Sequence, residues 1–151
     1  CKVFYKIYGI ETIILRYFNV YGKRQPVKGH YAPVIGLFER QKREGNPMTI
    51  VGDGEQTRDF THIKDVVNAN ILSAFTSNKK SFGEVFNIGT GKSYSINEIT
   101  KFFGGKTKRI EERHGEARHT LADNTKAKKM LGWQPTKDLK KYIKNIDFSE
   151  Q

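Results

Sequence analysis

Apolar positions along the chain follow two spacings, and the changes between them predict the order of its elements. Near-continuous runs of β-branched, aliphatic and aromatic residues, typical of strands buried on both faces of a parallel sheet, occur at residues 12–20 and 84–88. Elsewhere apolar residues recur every three or four positions, which predicts helices. The predicted helices are 1–8, 31–44, 65–77, 96–103, 123–131 and 136–146, with shorter strands at 47–51 and 107–112. This alternation predicts an α/β fold.

A glycine-containing turn in the middle of the chain precedes a candidate anion ligand. Gly52 and Gly54 permit positive φ, so a tight turn can place Arg58 at the floor of a cleft. The guanidinium of Arg58 carries five donors in a fixed fork that suits a phosphate or a ribose edge. The alternative is a surface ion pair between Arg58 and Asp59 at the end of a strand.

A second polar cluster lies at residues 113–123, where Arg113 and Arg118 flank Glu116. Two arginines beside a glycine are also typical of a solvated loop. Together with Arg58 they favour a binding site, because one diphosphate needs about two positive partners to offset its desolvation. His114 and His119 lie nearby without a further ligand set, so a metal site is not predicted.

Two other features resemble chemical motifs but are assigned structural roles. The segment Gly89-Thr90-Gly91 resembles a phosphate loop, yet Ser95 and Glu98 form a Ser-x-x-Glu capping box just after it. We therefore interpret the glycines as the entry to a helix. His62 has no assignable carboxylate partner, so we interpret it as structural rather than as a catalytic base.

Five motifs occur in one order over nearly the whole chain, at residues 15–22, 31–35, 52–65, 86–91 and 131–135. The sequence resembles the C-terminal half of extended short-chain dehydrogenases/reductases, in particular NAD-dependent nucleotide-sugar epimerases and dehydratases, and most closely the UDP-glucose 4-epimerases. The resemblance implies the last strands of a Rossmann-type parallel sheet interwoven with a small α/β substrate-binding lobe, with the N-terminal NAD-binding portion absent from residues 1–151.

The resemblance also implies roles for individual residues around a nucleotide-sugar. Asn19 would bond the sugar or the diphosphate, although a cap on the turn that follows fits its position equally well. Arg58 and one of the arginines at 113 and 118 would bind the diphosphate, and Glu116, where the family usually has Asp, would accept both ribose hydroxyls. The implied substrate-binding residues are Asn19, Ala32, Val34, Thr49, Ile50, Arg58, Arg113, Glu116 and Arg118.

The same resemblance implies which residues line the pocket around the base and the sugar. Ala32 and Val34 would line the pocket, with a core-facing position as the favoured alternative for Val34. Thr49 and Ile50 lie on the strand whose backbone holds the uracil in relatives. Val51 replaces the aromatic residue that is common there, so stacking on the base is in question.

The NAD chemistry of the family needs residues that this chain lacks. By resemblance Tyr17 and Phe18 flank the nicotinamide of NAD, which takes a hydride from C4 of the sugar while a Tyr removes the hydroxyl proton. The Tyr-x-x-x-Lys pair and a glycine-rich dinucleotide loop both do not occur in the sequence. We therefore assign no catalytic residue, and expect the chain alone to be inactive and to bind NAD weakly or not at all.

Two alternatives to an epimerase stay open. The run Arg16-Tyr17-Phe18-Asn19 favours 4-epimerases, because 4,6-dehydratases tend to carry paired asparagines there. A dehydratase half is the second hypothesis. The third, from another class, is a stand-alone nucleotide-sugar binder or a partner-binding remnant.

Composition narrows the partners. Apolar residues make up 36% of the 151 residues, enough for one domain, and no apolar run approaches a membrane span. The lone cysteine fits a reducing cytoplasm. The net charge of +11 is spread over scattered lysines without a nucleic-acid motif, so we expect an anionic nucleotide-sugar and neither nucleic acid nor a membrane as the partner.

The start of the chain leads to a further expectation about assembly. The sequence opens on Cys1 in what reads as the middle of a helix, which suggests an excised piece. The strand predicted at 12–20 would then lack the strands that precede it in the sheet. Its edge and faces should be uncovered, so we expect self-association or a missing N-terminal half.

Overall fold

The computed structural model describes residues 1–29, 32–112 and 115–148. The helices in these ranges are α1 (Lys2–Tyr8), α2 (Val34–Arg43), α3 (Ile63–Ala74), α4 (Ile96–Phe103), α5 (Thr125–Leu131) and α6 (Leu139–Lys144). The strands are β1 (Ile14–Tyr17), β2 (Val20–Tyr21), β3 (Met48–Val51), β4 (Thr57–Asp59), β5 (Thr61–His62), β6 (Val85–Ile88), β7 (Ser93–Ser95) and β8 (Thr107–Ile110). A short 3₁₀ helix (Lys79–Ser81) precedes β6.

The strands pair two by two, and three of the four pairs are parallel. β1 runs parallel to β6 with Ile14 opposite Val85 and Tyr17 opposite Ile88. β2 pairs with β5 and β3 with β8, also in parallel, whereas β4 and β7 are antiparallel. Parallel pairs connected through helices confirm the predicted α/β class.

Two separate clusters of buried side chains hold these elements together. The first, here called the lobe core, lies among α2, β3, α4 and α6. The second, the sheet core, lies between the β1–β6 pair and the helices α3 and α5. The lobe core consists of Tyr21, Ile35, Phe38, Met48, Ile50, Phe60, Ile96, Ile99, Phe103, Leu139 and Ile143. The sheet core consists of Val66, Ala69, Phe86, Ile88, Ala127, Leu131 and Trp133.

The apolar run at 12–20 is not the single buried strand that its composition predicts. The run divides into β1 and β2 because Asn19 adopts a positive φ of 28°, which strand geometry does not allow. Arg16 and Tyr17 are exposed. The expectation of burial on both faces is therefore wrong here. Within the described ranges β1 pairs with β6 alone, so its other edge is unpaired.

Local hydrogen bonds fix where the helices begin. The predicted capping box is present: the Ser95 hydroxyl accepts from the Glu98 amide, and the Glu98 carboxylate accepts from the Ser95 amide. α3 begins at Ile63, two residues before the predicted start, because the Nδ1 atom of His62 accepts from the Lys64 amide.

α6 begins later than predicted because a buried carboxylate holds the residues before it. Asp65, 2% exposed, accepts hydrogen bonds from the amide and hydroxyl of Thr136 and from the amide of Lys137. These bonds keep the segment in a turn, and Asp138 then caps the helix through the Lys141 amide. Asp65 thus forms a tertiary contact with the segment before α6. Its position near the start of α3 suggests only a favourable interaction with the dipole of that helix.

Among the described residues, none of the helices combines the length and the apolar character that a bilayer crossing requires.

Candidate functional site

An open cavity lies where the loop after β1, the start of α2 and the strands β3, β4 and β8 come together. Its volume is about 200 Å³. Polar groups line one part of the wall, and aliphatic side chains line the other. The lining residues are Asn19, Ala32, Val34, Leu37, Thr49, Val51, Gln56, Arg58, Ile96, Ile110 and Glu116.

The glycine turn at residues 52–54 directs the chain from β3 into this cavity. Gly52 and Gly54 have φ of 60° and 75°, as the sequence predicts for a tight turn. A Cβ atom at Gly54 would lie 2.4 Å from the side-chain oxygen of Asn97 and 2.7 Å from Ile50. The turn therefore needs a glycine at position 54 for space as well as for φ.

Arg58 lines the cavity, and two backbone carbonyls hold one nitrogen of its guanidinium. Its Nη1 atom donates to the carbonyl of Thr57 at 2.9 Å and to that of Arg118 at 3.3 Å. Nη2 lies 3.8 Å from the Glu116 carboxylate, and only 15% of the Arg58 side chain is exposed. A partly buried guanidinium with orientation fixed in advance is suited to bind an anion.

Asn19 lies at the same wall, and its conformation is set by β4. The Nδ2 atom donates to the carbonyl of Asp59 at 2.9 Å and to the Thr120 hydroxyl at 3.4 Å. Asparagine tolerates the positive φ of 28° better than most residues do. The side chain is therefore anchored to the strand that carries Arg58.

Asp59 is a buried clamp, and the surface ion pair with Arg58 that the sequence left open does not form. Asp59 is fully buried and accepts from the amides of Thr90, Gly91 and Ala122 and from the Thr90 hydroxyl, at 2.6–3.1 Å. Those amides point to the carboxylate and are not available to a phosphate. This agrees with the interpretation of the segment as a helix entry.

The α2–β3 wall is mostly aliphatic, and strand alternation decides which residues of β3 contribute to it. Thr49 and Val51 line the cavity, together with Ala32 and Val34 at the start of α2. Ile50, which the sequence also placed in the site, is 4% exposed and packs in the lobe core. Its side chain lies on the other face of the strand, so any contact of Ile50 with a ligand is through its backbone.

Arg118 does not line this cavity, although the sequence placed it with Arg58. Its Nη1 and Nη2 atoms donate to the two carboxylate oxygens of Asp53 at 2.8 and 2.5 Å. The hydrogen bonds from Arg118, and next the one from the Glu55 amide, lower the pKa of Asp53 to about 2. The Arg118 carbonyl supports Arg58 instead. Arg113 lies outside the described residues, as does Tyr31.

Tyr17 and Phe18, the residues assigned to the nicotinamide, lie at the end of β1 on the sheet side. The Tyr17 hydroxyl donates to the side-chain oxygen of Asn70 on α3 at 3.0 Å, and 45% of Tyr17 is exposed. The Phe18 amide donates to the Ile88 carbonyl at the end of β6. Both residues therefore lie at the carboxyl end of a parallel pair, where ligands of such sheets bind.

His62 has a structural environment, as the sequence interpretation holds. Its ring packs edge-on against Tyr21 and Tyr142, with ring centroids 5.2 and 5.5 Å away. Burial lowers the pKa of His62 below its usual value, and the nearby Asp65 opposes that shift only in part. A neutral ring is required for Nδ1 to accept from Lys64, so the ring caps α3.

Sequence reasoning missed three side chains that shape the site. Gln56 lines the cavity and donates to the Val51 carbonyl, Gln41 bonds to Thr49, and Asp59 forms the clamp described above. Gln41 lies on the apolar face of a predicted helix, four positions after Leu37 and seven after Val34, which indicates a buried polar partner. The sequence offers no comparable indication for Gln56.

A comparison with protein families identifies this architecture. Residues 1–89 match the family described as the NAD dependent epimerase/dehydratase family. The chain belongs to that family.

The relatives agree with this membership of the epimerase/dehydratase family and give the scale of the chain. A putative UDP-glucose 4-epimerase of Methanocaldococcus jannaschii is 41% identical over 96% of this chain and 47% of its own length. The chain thus spans about half the length of the curated relatives it matches.

Solved structures of epimerases share the fold closely. The crystal structure of a Thermotoga maritima UDP-glucose 4-epimerase with UDP-glucose superposes with a TM-score of 0.87 at 36% identity, covering 95% of this chain and 47% of that one. A Bacillus cereus UDP-glucuronic acid 4-epimerase in complex with UDP-glucuronic acid and NAD gives 0.82 at 35% identity, covering 95% and 46%. These neighbours support the Rossmann-type sheet and lobe predicted from the motifs.

Proposed function

We propose that this chain is the nucleotide-sugar-binding, C-terminal half of an NAD-dependent UDP-sugar 4-epimerase. The observation that carries the proposal is the cavity at which Asn19, Arg58 and Glu116 meet an aliphatic wall. Such a pairing of charged and apolar walls matches a ligand with an anionic diphosphate and a flat base.

In this proposal the polar wall binds the diphosphate and the ribose. Arg58 lines the cavity, and its Nη2 atom lies 3.8 Å from the Glu116 carboxylate. A diphosphate would take the place of that carboxylate beside Arg58. Glu116 would then accept hydrogen bonds from the ribose hydroxyls. A carboxylate is a better partner for these neutral donors than for the anionic diphosphate.

The volume of the cavity fits a site that has only part of its walls. About 200 Å³ is below the range of roughly 300–1,000 Å³ that is usual for small-molecule sites. A nucleotide-sugar would lie partly over the open mouth. The proposed N-terminal half supplies the remaining wall together with the catalytic Tyr and Lys.

The residues present fit one end of NAD and not the whole dinucleotide. Tyr17 and Phe18 lie where a nicotinamide could be flanked, but the glycine-rich loop that holds the pyrophosphate does not occur in the sequence. NAD supplies reversible oxidation of the sugar in this family. We expect this chain alone to bind NAD weakly or not at all and to turn over no UDP-galactose.

Calorimetric titration with UDP-glucose tests the binding half of the proposal. We expect saturable binding that Arg58→Ala weakens by about tenfold to a hundredfold, since a hydrogen bond to a charged group contributes about 1.5–3 kcal/mol. Arg40→Ala is the matched control, because Arg40 pairs with Glu44 on α2 away from the cavity. No UDP-glucose binding, or equal binding by the Arg58→Ala variant, contradicts the proposal.

Titration with dTDP-glucose and GDP-mannose separates the other hypotheses. A preference for dTDP-glucose would favour the 4,6-dehydratase half, and equal affinity for all three would favour a general nucleotide-sugar binder.

The sheet side of the chain carries the second part of the proposal, a protein partner. Apolar side chains are exposed along α1 and along one face of α3, next to the open edge of β1. We propose that the NAD-binding half covers this surface in the complete enzyme, and that two copies of the chain cover it for each other when that half is absent.

Light scattering together with intact-mass spectrometry tests this assembly. We expect either self-association of the 17.4 kDa chain or a co-purifying N-terminal polypeptide. A monodisperse monomer of 17.4 kDa would count against both.

A further inference from the structure

Gln41 on α2 and Thr49 on β3 form a two-point contact at the cavity wall. The Gln41 side-chain oxygen accepts from the Thr49 amide at 3.1 Å, and its nitrogen donates to the Thr49 hydroxyl oxygen at 2.9 Å. Gln41 is only 8% exposed, so water does not compete freely for these bonds. Thr49 lines the cavity directly.

This contact fixes the direction of the Thr49 hydroxyl. A backbone N–H can only donate, so the atom of Gln41 that meets it must be the oxygen. The amide nitrogen of Gln41 then has to face the hydroxyl oxygen, and it too can only donate. The Thr49 hydroxyl therefore accepts from Gln41, and its own hydrogen is left to donate elsewhere.

The surroundings of Thr49 leave a ligand as the natural acceptor for that hydrogen. On the part of the wall that α2, β3 and β8 contribute, the other described lining residues are aliphatic: Val34, Leu37, Val51 and Ile110. Within the described ranges the hydroxyl has hydrogen-bond contact with Gln41 alone. A hydroxyl donor on an otherwise apolar wall gives a flat ligand both its contact surface and its orientation.

We infer that Thr49, oriented by Gln41, is a specificity-determining donor that selects a nucleobase with a carbonyl group, as in uracil, over cytosine. The inference rests on the proposed nucleotide-sugar site, with the diphosphate beside Arg58 and the base against the aliphatic wall. Uracil presents a carbonyl at position 4, where cytosine presents an amino group. An amino group could meet only the remaining lone pair of Thr49, which leaves the hydroxyl hydrogen without an acceptor.

Replacing Gln41 by Glu reverses this direction without changing the shape of the side chain. Both oxygens of a carboxylate accept, so Glu would take the Thr49 amide and also the Thr49 hydroxyl hydrogen. The hydroxyl would then present lone pairs to the cavity. We expect the 151-residue chain to bind UDP about tenfold more tightly than CDP, and the Gln41→Glu variant to lose or reverse that preference.

Two variants of Thr49 complete the test. Thr49→Val keeps the shape, removes the hydroxyl, and should bring the ratio of UDP to CDP affinity close to one; Thr49→Ser should restore it. Thermal unfolding of each variant checks that the chain is folded. If UDP binding depends on Arg58 but Thr49→Val and Gln41→Glu leave the ratio unchanged, this inference fails alone. If neither nucleotide binds, it fails together with the proposed function.

Discussion

The lobe core and the sheet core differ in how completely this chain can bury them. The lobe core is surrounded by four elements, α2, β3, α4 and α6, and residues such as Ile35 and Phe38 are fully buried. The sheet core is covered by α3 and α5, while the outer apolar face of α3 and most of α1 remain exposed. All exposed large hydrophobic residues in the described ranges except Leu121 lie on the sheet side.

This difference indicates that the lobe core is covered by elements of this chain, whereas the sheet side has an apolar surface left exposed. An unpaired strand edge next to exposed apolar helices is typical of a surface that another polypeptide covers. The cavity lies between the two regions, since Asn19 follows β1 whereas Thr49 and Val51 belong to the lobe. Ligand binding should therefore depend on the lobe and on the contacts that join it to the sheet.

The largest effect on stability is expected in the lobe core. Phe38→Ala should lower the free energy of unfolding by about 3–5 kcal/mol, because it removes a fully buried ring and leaves a cavity. Urea denaturation followed by circular dichroism measures the change. Phe75→Ala is the control on the sheet side: Phe75 is 84% exposed, so its loss should change stability by less than about 0.5 kcal/mol. Similar losses for both variants would contradict the comparison.

The second largest effect is expected at the Asp59 clamp, which joins the regions. Asp59→Asn keeps the shape but turns an NH₂ group toward amides that now donate to a carboxylate oxygen. We expect a loss of about 2–4 kcal/mol, from unsatisfied buried donors at Thr90, Gly91 or Ala122. Urea denaturation gives the value, with Asp53→Asn as the exposed control. A loss of less than about 1 kcal/mol would show that the clamp is dispensable.

The sequence predicted the parts of this design that depend on neighbouring residues. The order of elements, the glycine turn and the Ser95–Glu98 capping box follow from short-range patterns. The resemblance also assigned Asn19, Arg58 and Glu116 to one site. These residues line the same cavity, and their binding of a substrate stays a prediction. Each of these predictions depends on residues a few positions apart, or on motifs of known local conformation.

Contacts between distant parts of the chain were not predictable in the same way. The partners of Asp59 lie at residues 90, 91 and 122, and those of Asp65 at 136 and 137. Pairing of Arg118 with Asp53 likewise depends on how a loop returns to the turn. For Ile50 the sequence lacked only the choice of face. Alternation divides the residues of a four-residue strand between two faces, but it does not say which face lines the site.

A pH-dependent effect of intermediate size is expected at His62, which packs in the lobe and caps α3. Burial lowers its pKa in the folded chain, so between that value and about 6.5 the unfolded chain binds more protons. Stability from His62 is therefore fully present above about pH 6.5 and is lost as the pH falls through the folded pKa. The urea midpoint of the unchanged chain should decrease from pH 7.5 to pH 5.5. The decrease should be smaller for His62→Asn, which retains a capping acceptor. An unchanged decrease would assign the pH dependence to other groups.

The smallest effect on stability, with a separate effect on assembly, is expected on the outer face of α3. Val67 and Ile71 are 49% and 52% exposed, so replacing both by Ser should change the free energy of unfolding by less than about 1 kcal/mol. The same change removes apolar area from the proposed contact and should shift the chain toward monomer in light scattering. Leu121→Ser, at 60% exposure away from the sheet side, is the control and should leave the association as it is. If the control dissociates the chain equally well, or the double variant does not, copies of the chain meet elsewhere than at α3.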